Sequence, residues 1–260
     1  MNIDIRDKVV IITGAAKGIG KVLAEKFANE GALLSLWDVQ YDYLLETAAS
    51  ISKKVGMKPL VINCDVSNEQ QVNEAIELTM RTYGTIDVLL ANAGILNASK
   101  ILETSVERWD EVFDVNVRGA FLSAKGVAPY LKAKGAGRII FASSFAAIIP
   151  SVGSAAYAAS KSAIVSLTRV LAAELGPWNI TVNAYAPGMI PSDMSGIDQL
   201  PESRQSEMLD TLCIREWGTA EDIASLAIFL ASDQARYITG TLIDASGGKF
   251  SVQFSKYARV

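Results

Sequence analysis

The residues in this chain best suited to chemistry are a tyrosine and a lysine four positions apart, in Tyr157-Ala158-Ala159-Ser160-Lys161. On a helix, positions i and i+4 share a face, so the phenol and the ammonium would be neighbours. A free phenol titrates near 10, too high for a base at neutral pH. A cation about 5 Å away in an effective dielectric near 20 contributes on the order of 3 kcal/mol, roughly 2 pKa units. That would let a tyrosine take a proton from an alcohol without an imidazole. The small residues around the pair (Ala155, Ala156, Ala158, Ala159, Ser160 and Ala163) suit a closely packed helix rather than a solvated one. Thirteen residues before Tyr157, Ser144 ends an apolar run, where its hydroxyl could hold a substrate oxygen. Ser143 competes for that role, because the alternation of a strand turns only one of the two toward a given face.

A second group could hold a phosphate. In Thr13-Gly14-Ala15-Ala16-Lys17-Gly18-Ile19-Gly20, three glycines follow a β-branched run. Without Cβ at those positions the chain can turn tightly, let a ligand approach the backbone, and pack a helix closely on a strand. Amides at the start of that helix would face an anion such as a pyrophosphate. The spacing is GxxxGxG rather than GxGxxG, and its place between the first strand and first helix of a βαβ unit supports a dinucleotide. Asp38, eighteen residues past Gly20, would end the second strand and accept hydrogen bonds from an adenosine ribose. A carboxylate there would repel the additional phosphate of NADP. Lys17 pulls the other way, since a basic residue beside the loop can favour that phosphate. Asp38 carries more weight because it would meet the 2′ position directly, so NAD is the expected cofactor.

Composition narrows the alternatives. The 260 residues include no histidine and only two cysteines, Cys64 and Cys213, in no paired motif. A catalytic zinc, any other metal centre of that kind and a Ser-His-Asp machine are therefore not expected. Proton chemistry must use Tyr, Lys, Asp or Glu. The cysteine usage suits a reducing compartment, and the N-terminal MNIDIRDKVV lacks the apolar core of a signal peptide. A cytoplasmic location is expected, with no membrane segment. A net charge of −4 with scattered Lys and Arg argues against a nucleic-acid partner.

These groups must be positioned by an alternation of short apolar runs with longer amphipathic ones. Strands are expected at 8–13, 33–37, 59–63, 87–91, 138–142, 180–184 and 242–244. Helices are expected at 18–30, 41–55, 68–81, within 106–131, at 155–175 and at 220–231. Ser67 and Gln70 have the spacing of a capping box at the third helix. Continuously apolar strands between helices imply a parallel sheet buried on both faces. Right-handed crossovers then give an α/β, doubly wound sheet of about seven strands with helices on both faces. No linker or repeat interrupts residues 1–260, so a single domain is expected. Residues 189–215, with two prolines, three methionines and mixed charge, read as an insertion above the sheet.

Together these motifs resemble the short-chain dehydrogenase/reductase family, with its Rossmann-like fold, over essentially the whole chain. The likeness rests on Thr13-Gly14-x-x-x-Gly18-Ile19-Gly20, on Ala91-Asn92-Ala93-Gly94, and on Asn116, Ser144, Tyr157 and Lys161 in order and spacing. It also rests on Cys64-Asp65-Val66, Pro187-Gly188 with Ile190, Ile238-Thr239-Gly240 and Gly247-Gly248. The resemblance implies that Tyr157 is the general acid/base and that Lys161 binds the nicotinamide ribose and lowers the tyrosine pKa. Ser144 would orient the substrate oxygen, and Asn116 would anchor a water in a proton relay. On spacing alone, Asn116 is a helix-interior residue with no role. Asp65 and Val66 would meet the adenine, and Asn92, Ala93 and Gly94 would line the cofactor. Pro187, Gly188, Ile190 and Ser192 would meet the nicotinamide, with Ser192 standing where the family often has threonine.

The implied reaction moves a hydride between NAD and a secondary alcohol or ketone. One alternative is an NADPH-dependent 3-oxoacyl-carrier-protein reductase. Trp178-Asn179 counts against it, because that branch commonly carries an arginine there. The other is a non-catalytic dinucleotide-binding sensor, counted against by the presence of Tyr157, Lys161 and Ser144. A pocket lined by Ile95, Leu96, Phe145, Ala146, Val152 and the 189–215 segment would be mostly apolar. Surplus apolar residues at Ala120, Phe121, Val127, Ala128, Ile164, Val165, Leu167 and Val170 are expected to meet the same surface on a two-fold-related copy, and the family resemblance implies a homotetramer. The tail 249–260 is a candidate for crossing between its subunits.

Overall fold

A computed structural model describes residues 3–251. Seven strands form one parallel sheet: β1 (Val9–Thr13), β2 (Leu33–Asp38), β3 (Leu60–Asn63), β4 (Val88–Ala91), β5 (Gly137–Ala142), β6 (Ile180–Pro187) and β7 (Leu242–Ala245). Their order is β3-β2-β1-β4-β5-β6-β7. The chain thus winds outward in one direction from β1 and then returns to start again at β4. The gap between the carboxyl ends of β1 and β4 is the switch point at which such sheets bind ligands.

Period-two alternation sends neighbouring residues of each strand to opposite layers. Val10, Ile12, Leu34, Leu36, Val88, Leu90 and Ile140 pack on one face against α1 (Gly18–Asn29), α2 (Tyr41–Val55) and α8 (Ala220–Ala231). Ile11, Trp37, Leu89, Ile139 and Phe141 pack on the other against α3 (Glu69–Tyr83), α5 (Gly119–Lys134) and α6 (Ala155–Leu175). Burial on both faces is why the central strands β1 and β4 read as nearly unbroken apolar runs.

Three local features differ from expectation. The box between Ser67 and Gln70 does not form. Asn68 is the cap, its side chain accepting from the Gln71 N–H, while the Ser67 hydroxyl donates to Asp65 and Gln70 donates to Glu74. A capping box does occur at α8, between Thr219 and Asp222. The expected long helix after β4 is split into α4 (Val106–Phe113), a π-helical turn at Asp114–Arg118, and α5. Extra backbone in such a turn pushes a side chain out of helical register, and the residue at its centre is Asn116. The segment after β6 contains α7 (Glu202–Leu209) and a small core of Met189, Ile197 and Leu212. It closes where the Gly218 N–H donates to the Met189 carbonyl, three residues past the expected end.

Candidate active site

At the carboxyl end of β1 the chain turns with Gly14 at φ +66°, and the turn has no room for side chains at Gly14 and Gly20. A Cβ on Gly20 would lie 1.9 Å from the Gly14 carbonyl oxygen, and one on Gly14 would lie 2.8 Å from Ala93 Cα. The turn is tied to the end of β4 by hydrogen bonds. The N–H groups of Asn92 and Ala93 both donate to Thr13 Oγ1 at 3.0 Å. The Asn92 amide donates to the carbonyls of Thr13 (3.1 Å) and Gly14 (3.3 Å). Helix α1 then begins with Lys17 in extended conformation, no side-chain cap, and no acidic residue in its first turn. Amides at such a start suit a bound phosphate.

Asp38 lies beside this turn. Its Oδ2 accepts from the Ala16 N–H (2.9 Å) and its Oδ1 from the Gln40 N–H (2.8 Å), which holds the carboxylate at the edge of the loop. The Lys17 ammonium is 3.4 Å from the centroid of the exposed Tyr43 ring, a cation–π contact at the surface. Asp65 accepts from the backbone and hydroxyl of Ser67, and Val66 is buried against Gly119. Across the cleft, Gly188 passes so close to the last strand that a Cβ would fall 2.6 Å from Ser246 Cα. Ile190 is buried, and Ser192 forms a local turn with Ser195.

The second cluster lies between β5 and α6. Ser143 and Ser144 diverge as strand geometry requires. The Ser143 hydroxyl donates to the Lys161 carbonyl at 3.0 Å, whereas Ser144 faces Tyr157 and hydrogen-bonds its phenol. Lys161 is buried, with Nζ donating to the Ala142 carbonyl (2.9 Å) and lying 5.7 Å from the Tyr157 ring centroid. Asn116 is buried too. Its Oδ1 accepts from the Ile95 N–H (2.8 Å), and its Nδ2 donates to the Ile95 carbonyl and to Ser160 Oγ, each at 3.0 Å. Gly94 joins the two groups, because a Cβ there would lie 3.2 Å from both Asn116 Oδ1 and Lys161 Nζ.

The electrostatics correct one expectation. Burial pushes the Tyr157 phenol above its ordinary value, and the Ser144 hydrogen bond only partly opposes this. Burial also brings Lys161 down to about 8. Desolvation thus moves both groups toward their neutral forms, and in the protein alone it outweighs the lowering of Tyr157 expected from the lysine. Sequence reasoning also missed Ser160, which bridges Asn116 and the Tyr157 carbonyl, and Tyr185, whose hydroxyl donates to Asn92.

A seven-stranded parallel sheet with a glycine turn at its switch point, and a tyrosine, serine and lysine beside it, defines a class: nicotinamide-dinucleotide oxidoreductases of the α/β type. A family model described as enoyl-(acyl carrier protein) reductase matches residues 14–249. The chain is 38% identical over 244 residues to the 3-oxoacyl-acyl-carrier-protein reductase FabG of Thermotoga maritima, covering 93% of this chain and 97% of that one. It superposes on levodione reductase with a TM-score of 0.90 at 32% identity, covering 94% and 98% of the two chains. NAD⁺-bound xylitol dehydrogenase gives 0.89 at 30% identity, covering 94% and 99%. The chain belongs to the short-chain dehydrogenase/reductase family and is an oxidoreductase of that family.

Proposed function

We propose that this protein is an NAD-dependent dehydrogenase interconverting a secondary alcohol and its ketone, with Tyr157 as the acid/base. The observation that carries the reading is the cluster of half-buried Tyr157 with buried Ser144 and Lys161, beside a glycine turn whose flanking carboxylate is Asp38. The uncapped start of α1 and the cradle at Gly14, Gly18, Ile19 and Gly20 fit a pyrophosphate. Asp38 fits the adenosine ribose, Asp65 and Val66 the adenine, and Pro187, Gly188, Ile190 and Ser192 the nicotinamide. Asn92, Ala93 and Gly94 form the wall between the two ends, and Lys17, drawn over Tyr43, stays at the surface beside the loop. When bound, the nicotinamide supplies the hydride acceptor or donor.

The protein supplies position and proton transfer. Ser144 holds the substrate oxygen, and Tyr157 exchanges the hydroxyl proton. A phenol held above its ordinary value is protonated at neutral pH and ready to donate to a ketone oxygen. Alkaline conditions favour the alcohol-oxidising direction, which releases a proton. With its value near 8, Lys161 carries its positive charge at pH 7 and favours the tyrosinate whenever it forms. Asn116, anchored to Ile95 and Ser160, would hold the water of a proton relay to Lys161.

The second reading, a 3-oxoacyl-carrier-protein reductase using NADPH, is favoured by the Thermotoga relative. Asp38 opposes it, as does Trp178, which is covered by Lys132 at 3.8 Å where an arginine for an acidic carrier would stand. One kinetic experiment separates the readings: NADH or NADPH absorbance with both cofactors and a panel of secondary alcohols, polyols and 3-oxoacyl thioesters. We expect kcat/KM to favour NAD⁺ over NADP⁺. Tyr157→Phe should bind NADH but retain less than about a tenth of kcat, a loss above ~1.4 kcal/mol. Preference for NADPH with a thioester would establish the second reading.

The cytoplasm suits a chain with two cysteines in no paired motif, and among the described residues no helix is long and apolar enough to cross a membrane. The assembly we propose is a homotetramer. Of the surplus apolar residues, Ala120, Val127 and Ile164 are buried in the chain's own core, whereas Phe121 and Val170 stay exposed at 44% and 53%. Those two keep the interface reading alive; the tail from residue 252 lies outside the described residues. Light scattering at micromolar concentration should give about four times 27.8 kDa, and a particle of 27.8 kDa would refute the assembly.

A further inference from the structure

Tyr185 stands towards the carboxyl end of β6, an internal strand of the sheet, where burial on both faces ordinarily selects Val, Ile or Ala. It is fully buried, so its hydroxyl bears a desolvation cost that only a hydrogen bond can offset. That bond runs to Asn92 Oδ1, at 3.0 Å across 93 residues of chain. Its direction follows from the other partners of Asn92. The amide nitrogen is already committed to the Thr13 and Gly14 carbonyls, so the oxygen faces Tyr185 and the phenol must donate. Burial holds that phenol far above its ordinary value, which keeps the proton in place.

The result is a one-way chain from β6 to the glycine turn: Tyr185 O–H to Asn92, and Asn92 N–H to Thr13 and Gly14. The far end of this chain is the carbonyl that a Cβ on Gly20 would strike, so its position sets how closely the turn folds over the start of α1. The near end is two residues from Pro187 and three from Gly188. We propose that Tyr185 is a positioning residue for the dinucleotide, a strut that fixes the phosphate-binding turn relative to the strand carrying the nicotinamide-side segment. This rests on the reading that residues 13–20 hold a dinucleotide.

The test is Tyr185→Phe, which removes only the hydroxyl, in the full chain. NADH binding is read by fluorescence titration and ADP-ribose by competition against it. Both should weaken by about tenfold, equivalent to ~1.4 kcal/mol. KM for NAD⁺ should rise in step, while kcat at saturating cofactor should stay within about twofold. In an Asn92→Ala background the same change should have no further effect. A folded Tyr185→Phe protein with both affinities unchanged would make the residue core only. Weakened NADH with unchanged ADP-ribose would place its action at the nicotinamide rather than at the turn. Effects that multiply with Asn92→Ala would break the chain between the two. Any of these overturns the proposal. Tyr185→Met, smaller but flexible enough to fill an irregular gap and without a hydroxyl, repeats the measurement should the phenylalanine variant not fold. Wild-type protein that binds neither probe would instead overturn the dinucleotide reading beneath it.

Discussion

The two sides of the cleft are built differently. On the side of β1 and β4, the turn at residues 13–20 is held by Asn92, Ala93 and Tyr185 through a closed set of hydrogen bonds, and two of its glycines have no space for a methyl group. On the side after β6, the core among the described residues is three buried side chains, Met189, Ile197 and Leu212, against which Met208 and Leu209 of α7 pack while only partly buried. Ion pairs there, Arg204 with Glu207 and Arg215 with Asp210, are at the surface and hold little energy. Met194 and Ile214 remain largely exposed. The difference shows how a binding protein divides its tasks. Backbone geometry that must fit one constant ligand tolerates almost no change, whereas a segment packed by a few side chains can vary to suit another.

The sharpest way to break the first side is Gly20→Ala. The new methyl would overlap the Gly14 carbonyl at 1.9 Å, and backbone atoms cannot swing away as a flexible side chain can. Opening the turn should destabilise the protein by about 3 kcal/mol. Dinucleotide affinity should fall on the order of a hundredfold, roughly 2.7 kcal/mol. Urea midpoints and an NADH titration measure the two effects. Affinity within about threefold of wild type would show that the turn adapts, and would erase the contrast between the two sides.

Lys161 tests the junction between them. It binds its proton less tightly in the folded protein, near 8, than in the unfolded chain, near the ordinary 10.5. Between those values the unfolded state holds more protons, so this group makes stability rise with pH from about 8 to 10.5. Below pH 8 the cost of burying the ammonium is fully present, about 3 kcal/mol at 1.36 kcal/mol per pH unit. Lys161→Met removes that cost but leaves the Ala142 carbonyl without its Nζ partner, a loss of about 1 kcal/mol. The variant should therefore be inactive yet more stable than wild type at pH 7, by about 2 kcal/mol. Its advantage should shrink as pH is raised from 8 to 10. Urea unfolding at each pH reads this, and parallel curves for the two proteins would refute it.

Much of this architecture was readable from residue patterns. Helices α2, α6 and α8 lie at the expected bounds, and the seven strands lie where apolar runs sit between turn residues. Local chemistry decides those features. The π turn at Asp114–Arg118 is different, because apolar spacing looks the same whether a helix continues or slips by one residue. On its spacing, then, Asn116 was an ordinary helical residue, and only the family resemblance singled it out. The cap at Asn68 was hidden because Ser67 is an equally good capping residue, and its hydroxyl is taken by Asp65. Tyr157 and Lys161 were legible as a pair, but their i,i+4 spacing carries no information about burial, and burial sets the direction of both shifts. The Tyr185–Asn92 bond joins residues far apart in sequence, and no local pattern signals it.

The smallest expected effect belongs to the second side. Met194 is 54% exposed in the stretch between β6 and α7, and lies outside the core of Met189, Ile197 and Leu212. Truncating it removes few packed atoms, so Met194→Ala should change stability by no more than about 0.5 kcal/mol. In a family fold of this size that is a shift of about 2 °C or less in Tm. NADH affinity should be unchanged, because the glycine turn and Asp38 are untouched. If this segment borders the substrate, as its apolar exposed residues suggest, the change should appear in selectivity. The ratio of kcat/KM for a bulky over a small secondary alcohol should fall by about threefold, since one to two methylenes of contact are worth ~1 kcal/mol each at most. Differential scanning calorimetry and the two rates are sufficient. A drop in Tm of more than about 5 °C with the ratio unchanged would place Met194 in the cooperative fold rather than at the substrate. The two sides of the cleft would then be equally committed.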